Sequence, residues 1–132
     1  MLHHSIRYIA TLLVIILGDG IWLSFFAHAM FRPTLGSILL DNPRWWAAVF
    51  FYPLFAFGIV FFAVTPALHS HSLHDALLRG ALLGLIAYAT YDLTNLATIK
   101  AWTTTLALVD VGWGAFLTAI ASAVSYIVVT NT

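Results

Sequence analysis

Cysteine and glutamate are both absent from the sequence, and charged residues of any kind are scarce. Without cysteine the chain cannot form disulfides, use a thiolate as a nucleophile or ligate a metal through sulfur. Only 8% of the residues are charged and the net charge is zero, so no basic surface is available to bind nucleic acid. Soluble domains carry about 25% charged residues because their surfaces must be solvated. A soluble fold is therefore excluded.

Apolar residues make up 62% of the chain, and the mean hydropathy is +0.98. Crossing a hydrocarbon core of about 30 Å takes roughly 20 apolar residues in a helix, and four runs reach that length. Because lipid offers no partner to unpaired backbone groups, each run is expected to be helical. The sequence predicts an all-α integral membrane protein, a single domain over residues 1–132 whose four-helix bundle runs up-down-up-down. The predicted spans cover residues 8–26, 45–67, 80–101 and 103–129.

The first run also has some features of a secretory signal peptide, since small residues follow it at 27–29. It is longer than the apolar part of a signal peptide, however, and it contains Asp19. We therefore expect it to be retained as a transmembrane helix. Four spans put both termini on one side of the membrane. The Lys and Arg residues are divided almost evenly between the two sides, and we predict that the termini are cytoplasmic.

The segments between the runs carry helix-boundary signals. The longest connection, between the first two runs, is predicted to hold an interfacial loop or a short helix. Asp41 or Asn42 is placed to cap the second helix, which is expected to end near Pro66. Ser72 and Asp75 have the spacing of a capping box at the start of the third helix.

Three of the five acidic residues lie inside the apolar runs: Asp19 in the first, Asp92 in the third and Asp110 in the fourth. The alternating direction of the helices places all three roughly 10–14 Å below the same surface. An ionised aspartate at a bilayer centre costs about 2.5–3.5 kcal/mol, so such residues usually serve a function. The aspartates are predicted to share a ligand, ion or catalytic site. The alternative is that they only form hydrogen bonds between helices.

Aromatic and polar residues lie on the same predicted faces as the aspartates. Tyr88, Tyr91 and Asn95 fall with Asp92 within an arc of about 120° on the third helix. In the fourth helix Gly114 follows Asp110 by four residues, which allows another helix to approach closely. The predicted ligand-binding residues are Asp19, Trp22, Tyr88, Tyr91, Asp92, Asn95, Asp110 and Trp113.

No metal site and no cofactor are predicted. His69, His71, His74 and Asp75 could ligate a metal, because imidazole and carboxylate groups commonly do so. Histidines in a connecting segment without a fixed scaffold are more often simply solvated.

Four stretches of the sequence resemble the family called domain of unknown function 2177: "GDGIWL", "FFYPLFAFGIVFFAVTPAL", "GALLGLIAYATYDLTNLATIKAW" and "VDVGWG". The resemblance covers nearly the whole chain and implies a four-span protein of the bacterial inner membrane. It also implies that the aspartates, with Trp22, Tyr91, Asn95 and Trp113, are motif residues. It implies no particular activity.

Three functions remain open from the sequence. The first is binding or processing of a small lipidic or amphipathic molecule; if chemistry occurs, Asp92 is the candidate general acid or base, oriented by Asn95 and tuned by Asp110. The second is proton-coupled transport by a homo-oligomer, although small multidrug transporters of this outline use a membrane glutamate that this chain lacks. The third is a structural subunit of a membrane complex. No nucleophile motif, H-E-x-x-H motif or phosphate loop is present, so whether the protein is an enzyme stays open.

Overall fold

A computed structural model describes residues 2–132 of the chain, apart from the side chains of residues 27 and 28, and within them every regular element is a helix and none is a strand. The helical segments are listed here in chain order. They are α1 (Leu2–Trp22), a π-helical segment (Leu23–Phe31), α2 (Arg32–Leu35), α3 (Trp45–Ile59), a second π-helical segment (Val60–Val64), α4 (Thr65–Ser70), α5 (Leu73–Thr98) and α6 (Thr104–Thr130). Joined end to end, these segments form four long helices, each apolar enough to cross a membrane.

Contacts at the two ends of α1 fix its direction relative to its neighbours. Near the start of α1, Arg7 donates to the Thr65 hydroxyl (3.2 Å) and its carbonyl accepts from Ser125 (3.0 Å). Near the end of α1, Asp19 pairs with residues at the opposite ends of the same two helices. α1 is therefore antiparallel both to the second long helix and to α6. The four-helix membrane bundle predicted from the sequence is confirmed.

Glycines on α5 allow α5 and α6 to pack with almost no space between their backbones. A Cβ atom built on Gly80 would lie 2.7 Å from the Thr118 carbonyl oxygen, and one built on Gly84 would lie 2.7 Å from the Thr118 hydroxyl oxygen. Apolar side chains gain little by packing together in lipid, so close approach at small residues is a main source of helix association in membranes. This contact joins α5 and α6 along the half of the bundle that contains the termini.

The outer surface of the bundle is apolar. Phe25, Phe50 and Leu54 are each at least 70% exposed, whereas a water-soluble protein rarely exposes large contiguous apolar areas. Buried apolar residues fill the centre of the bundle: Ile15, Ala56, Ile59, Ala63, Val64, Leu117 and Ala121. Large side chains face outward and small ones dominate the interior, which is the arrangement expected when lipid is the solvent.

Pro66 does not end the second long helix, which continues to Ser70, so that part of the sequence prediction is wrong. A proline has no N–H to donate and its ring clashes with the carbonyl four residues earlier. Here the backbone widens into a π-helical turn just before the proline, and the Thr65 N–H donates to the carbonyl of Val60. The wider turn accommodates the ring without ending the helix. The π-helical segment that ends at Phe31 precedes Pro33 in the same way.

The two predicted helix caps have different outcomes. Ser72 caps α5 as predicted: its hydroxyl accepts from the Asp75 N–H at 3.0 Å. The predicted cap at Asp41 or Asn42 is wrong. α3 starts at Trp45, the preceding Arg44 occupies the cap position, and no side chain caps this end. Arg44 has φ −81° and ψ 88°, outside the helical region, so the first helical turn begins two residues after Pro43 and beyond the reach of the predicted caps.

The predicted short helix between the first two spans is a direct continuation of the first long helix. The π-helical segment leads straight into α2, which ends at Leu35. Leu35 is buried with Trp102 and Leu106, and Phe31 packs against the same cluster. The end of the first long helix therefore covers the connection between α5 and α6, next to the aspartates.

Candidate functional site

Asp19 connects three helices through its carboxylate. The Tyr52 hydroxyl of α3 donates to Oδ2 at 2.8 Å, and the Trp113 indole N–H of α6 donates to Oδ1 at 3.0 Å. Asp19 itself is only 9% exposed. A carboxylate that receives one donor at each oxygen is held in a fixed orientation, so Asp19 is anchored in place at the centre of the bundle.

Asp92 and Asp110 lie side by side, on α5 and α6. Asp92 is fully buried and Asp110 is 6% exposed. The Trp102 indole lies beside Asp92, and the Trp22 indole lies beside Asp110. Among the described residues, however, no donor has hydrogen-bonding geometry toward either oxygen of Asp92. Buried carboxyl oxygens without donors are rare and usually mark functional groups.

A cavity of about 720 Å³ lies next to these carboxyl groups. This volume is within the range of small-molecule sites. Its wall combines acidic, basic and aromatic side chains from the first two long helices, the connection between them, α5 and α6. The lining residues are Asp19, Trp22, Leu23, Phe31, Arg32, Leu39, Leu40, Pro43, Trp45, Phe51, Tyr52, Phe55, Ala87, Tyr88, Tyr91 and Asp110.

Five of the eight residues predicted to bind a ligand line this cavity: Asp19, Trp22, Tyr88, Tyr91 and Asp110. Asp92 and Trp113 lie behind the wall, in contact with lining residues. The Trp113 ring stacks on Trp22 with a centroid separation of 4.8 Å and an interplanar angle of 7°, and its N–H anchors Asp19. Trp113 therefore holds two lining residues in position without contacting the cavity.

Asn95 is half-buried and lies outside the cavity wall. Within residues 2–132 its side chain makes no hydrogen bond to Asp92, whose two oxygens have no donor. The structure therefore provides no contact through which Asn95 orients Asp92.

Tyr52, Arg32 and Trp102 belong to the site and were not predicted as site residues from the sequence. Tyr52 lies just before Pro53 in a helix that is apolar on every side, so the sequence pattern does not indicate which face is inward. Arg32 follows a π-helical segment that sequence periodicity does not reveal. Trp102 lies in the connection after α5, where a tryptophan is usually read as an interfacial anchor.

The three aspartates have no cationic partner in the part of the chain that the structure describes. The ion pair in the described residues joins Asp75 to Arg79, with 2.9 Å between the Asp75 Oδ2 and Arg79 Nε atoms. Arg32 lines the cavity but does not approach Asp19 or Asp110 this closely. No group of three or more His, Cys, Asp or Glu residues in the described chain is arranged to hold a metal ion. Asp19 and Asp110 thus line the cavity without an ion-paired basic side chain among the described residues.

A family model described as predicted membrane protein (DUF2177) matches residues 4–127. The chain belongs to the DUF2177 family. This finding confirms the resemblance seen in the sequence, and with the four apolar helices it establishes an integral membrane protein. No curated protein and no solved structure matches the chain.

Proposed function

We propose that this DUF2177 protein binds a small amphipathic molecule in the cavity beside Asp19 and Asp110. The observation that carries the proposal is the composition of the cavity wall. Two buried carboxyl groups share one space of about 720 Å³ with aromatic rings from three helices. A site with a few convergent polar groups in an otherwise apolar wall is typical of small-molecule binding.

Access to the cavity supports the proposal. Several of its wall residues are also exposed on the outer surface: Trp45 is 68% exposed, Leu23 53% and Leu40 52%. A molecule in the surrounding lipid can therefore contact the cavity wall without passing through the packed interior. In this arrangement its polar end meets the carboxyl groups, and its apolar part contacts rings such as Phe55 and Tyr88.

Catalysis is not part of this proposal. Asp92, the acid or base candidate from the sequence, lies behind the wall and does not line the cavity. Asp92 is a neighbour of Asp110, which does line the cavity, so in this scheme Asp92 acts on a ligand through Asp110. Asp92 is a positioning residue in this scheme.

We test the proposal by native mass spectrometry of gently solubilised protein. Ala87 lines the cavity, so Ala87→Phe fills part of it, whereas Ala97→Phe makes the same change on an exposed position of the same helix. We expect a defined small mass bound to the wild type and to Ala97→Phe, and its loss from Ala87→Phe. Failure to detect any bound mass, or equal retention by all three proteins, would contradict the proposal. A bare wild type that co-purifies with another membrane protein would favour a structural subunit instead.

We place the protein in a bacterial inner membrane with both termini in the cytoplasm. The even number of long helices supports a common side for the termini, and the four sequence stretches that resemble DUF2177 support the bacterial membrane. A fluorescent protein that folds only in the cytoplasm, fused after Thr132, should be bright. A dark fusion beside an active periplasmic reporter at the same position would reverse the orientation.

A further inference from the structure

The carboxyl groups beside the cavity have no opposite charge nearby. Asp110 is only 6% exposed and lines the cavity, and the side chains of Asp92 and Trp22 beside it carry no positive charge. Asp19 lies in the same wall, and Asp92 is directly behind Asp110. Buried carboxylates are normally paired, because an unpaired charge in an apolar medium is costly. A cation in the cavity would provide the missing partner.

We infer that the cavity selects a molecule whose polar end is an organic cation, an ammonium group attached to an apolar body, held between Asp19 and Asp110. This inference rests on the proposed function and adds the charge of the ligand to it. The carboxylates supply the opposite charge that an organic ammonium group requires, and they accept hydrogen bonds where that group carries N–H. The apolar body then lies among the aromatic residues of the same wall.

The aromatic side chains favour an ammonium group over other cations. Trp22 and Tyr88 line the cavity together with the two carboxyl groups, and aromatic faces attract ammonium groups through cation–π interactions. Trp22 is additionally fixed by its stack on Trp113. An inorganic cation would need converging ligands, and the described residues offer no group of three or more His, Cys, Asp or Glu side chains placed to hold one.

Arg32 is the main argument that the cavity selects an anion instead of a cation. It is exposed at the cavity wall and could attract an anionic headgroup. Two acidic residues of the wall are buried, however, while Arg32 is solvated, and a buried charge attracts its partner more strongly than a solvated one does. The cavity wall therefore favours a cation.

Three probes that differ only in their headgroup test the inference. Each probe is an undecyl chain with bromine at one end and the headgroup at the other: trimethylammonium, hydroxyl or carboxylate. Binding is measured as quenching of tryptophan fluorescence by the nearby bromine. Titrations into lipid nanodiscs holding the wild-type protein are corrected with nanodiscs holding Ala87→Phe, which report partitioning into lipid alone. We expect the ammonium probe to bind saturably and at least about tenfold more tightly than the alcohol, a difference of about 1.4 kcal/mol.

Variants locate the charge that the probe recognises. Asp110→Asn keeps the size of the side chain and should reduce the preference for the ammonium probe to less than about threefold. Asp75→Asn makes the same change at a half-buried aspartate outside the cavity wall, and it should leave the preference unchanged. The wild-type comparison of the three probes needs no variant at position 110, so a failure of Asp110→Asn to fold does not remove the test.

The outcomes separate this inference from the proposed function. If the alcohol or the carboxylate probe binds saturably and as tightly as the ammonium probe, the charge selection is overturned and the binding cavity stands. If Asp75→Asn lowers the preference as much as Asp110→Asn does, the inference is likewise overturned. If no probe binds saturably and no co-purified mass depends on Ala87, the proposed function itself falls.

Discussion

The two ends of the bundle use the same helices in opposite ways. Toward the termini, Gly80 and Gly84 bring the backbone of α5 against Thr118 and its neighbours, and there is no room for a side chain. One turn further along, Tyr88 of α5 lies against Gly114 of α6, and beyond that point the cavity opens. A membrane bundle packs closely where its residues are small and leaves space where large rings separate the backbones. The difference in residue size along α5 places the site at one end.

The polar groups at the two ends also differ in kind. At the terminal end the buried groups are hydroxyls, such as Thr11, Thr118, Ser122 and Ser125. Ser125 donates to the Arg7 carbonyl of another helix, whereas the hydroxyls of Thr11, Thr118 and Ser122 have no hydrogen-bond partner in the part of the chain that the structure describes. Leaving a neutral hydroxyl unpaired in an apolar region costs far less than leaving a carboxylate unpaired. At the other end the buried groups are carboxyls, which a helix cannot satisfy alone. Hydroxyls therefore suit a packing interface, and under the proposed function the carboxyls are retained because they bind the ligand.

The largest expected effect comes from disturbing the tightly packed end. Gly84→Ala places a methyl group against Gly114 and the Thr118 side chain, and overpacking of this kind costs about 1–3 kcal/mol. Gly112→Ala is the matched control, because a Cβ atom there has no neighbour within 4 Å. Thermal unfolding in detergent should show a clear loss of stability for Gly84→Ala and none for Gly112→Ala. Equal behaviour of the two variants would mean that the close packing of α5 and α6 has been misidentified.

A smaller effect is expected from the anchoring of Asp19. Tyr52→Phe removes the hydroxyl that donates to Asp19 Oδ2, and interhelical hydrogen bonds in membranes contribute about 0.6 kcal/mol on average. Tyr126→Phe removes a hydroxyl far from the aspartates and serves as control. Unfolding in detergent should distinguish the two by about this amount. If the loss for Tyr52→Phe is no greater than for the control, the hydrogen bond to Asp19 is not a stabilising contact.

The smallest effect is expected from removing a single hydrogen bond at the terminal end, the one between Arg7 and Thr65. Thr65→Val removes the hydroxyl that accepts from Arg7 at 3.2 Å. Arg7 lies near the start of its helix, where a long side chain can reach water instead, so the cost should be below about 0.5 kcal/mol. Thr90→Val, which removes a hydroxyl bonded only within its own helix, gives the reference. If Thr65→Val loses more stability than Tyr52→Phe, the hydrogen bond at the terminal end contributes more than the one to Asp19, contrary to this expectation.

The fold followed from the sequence because hydropathy and length are sufficient to predict membrane helices. The common depth of Asp19, Asp92 and Asp110 could also be predicted, since alternating helix directions fix relative heights. The division of roles among them could not. Asp92 and Tyr88 share one predicted face, yet one lies behind the cavity wall and the other in it. An arc of about 120° is too broad to resolve that difference.

The contribution of the second long helix could not be predicted for another reason. Its residues are apolar on all sides, so no periodicity indicates that Tyr52 faces Asp19. The π-helical turn before Pro66 shifts the helical register as well, and a regular helical projection then places later residues on the wrong face. Here the tertiary contact, a single tyrosine hydroxyl on a carboxylate, identifies the inward face.

The pairing of Asp19 with Trp113 has a consequence for biosynthesis, because 94 positions separate the two residues. At about 5–20 residues per second, the ribosome needs roughly 5–20 s to make that stretch. The first helix therefore reaches the membrane long before its indole donor exists, while Tyr52, only 33 positions away, arrives much earlier. We expect the strongly apolar neighbours of Asp19 to let the first helix insert before Trp113 is available to donate to the carboxyl group. We therefore expect membrane integration of the first helix to precede the pairing of Asp19 with Trp113.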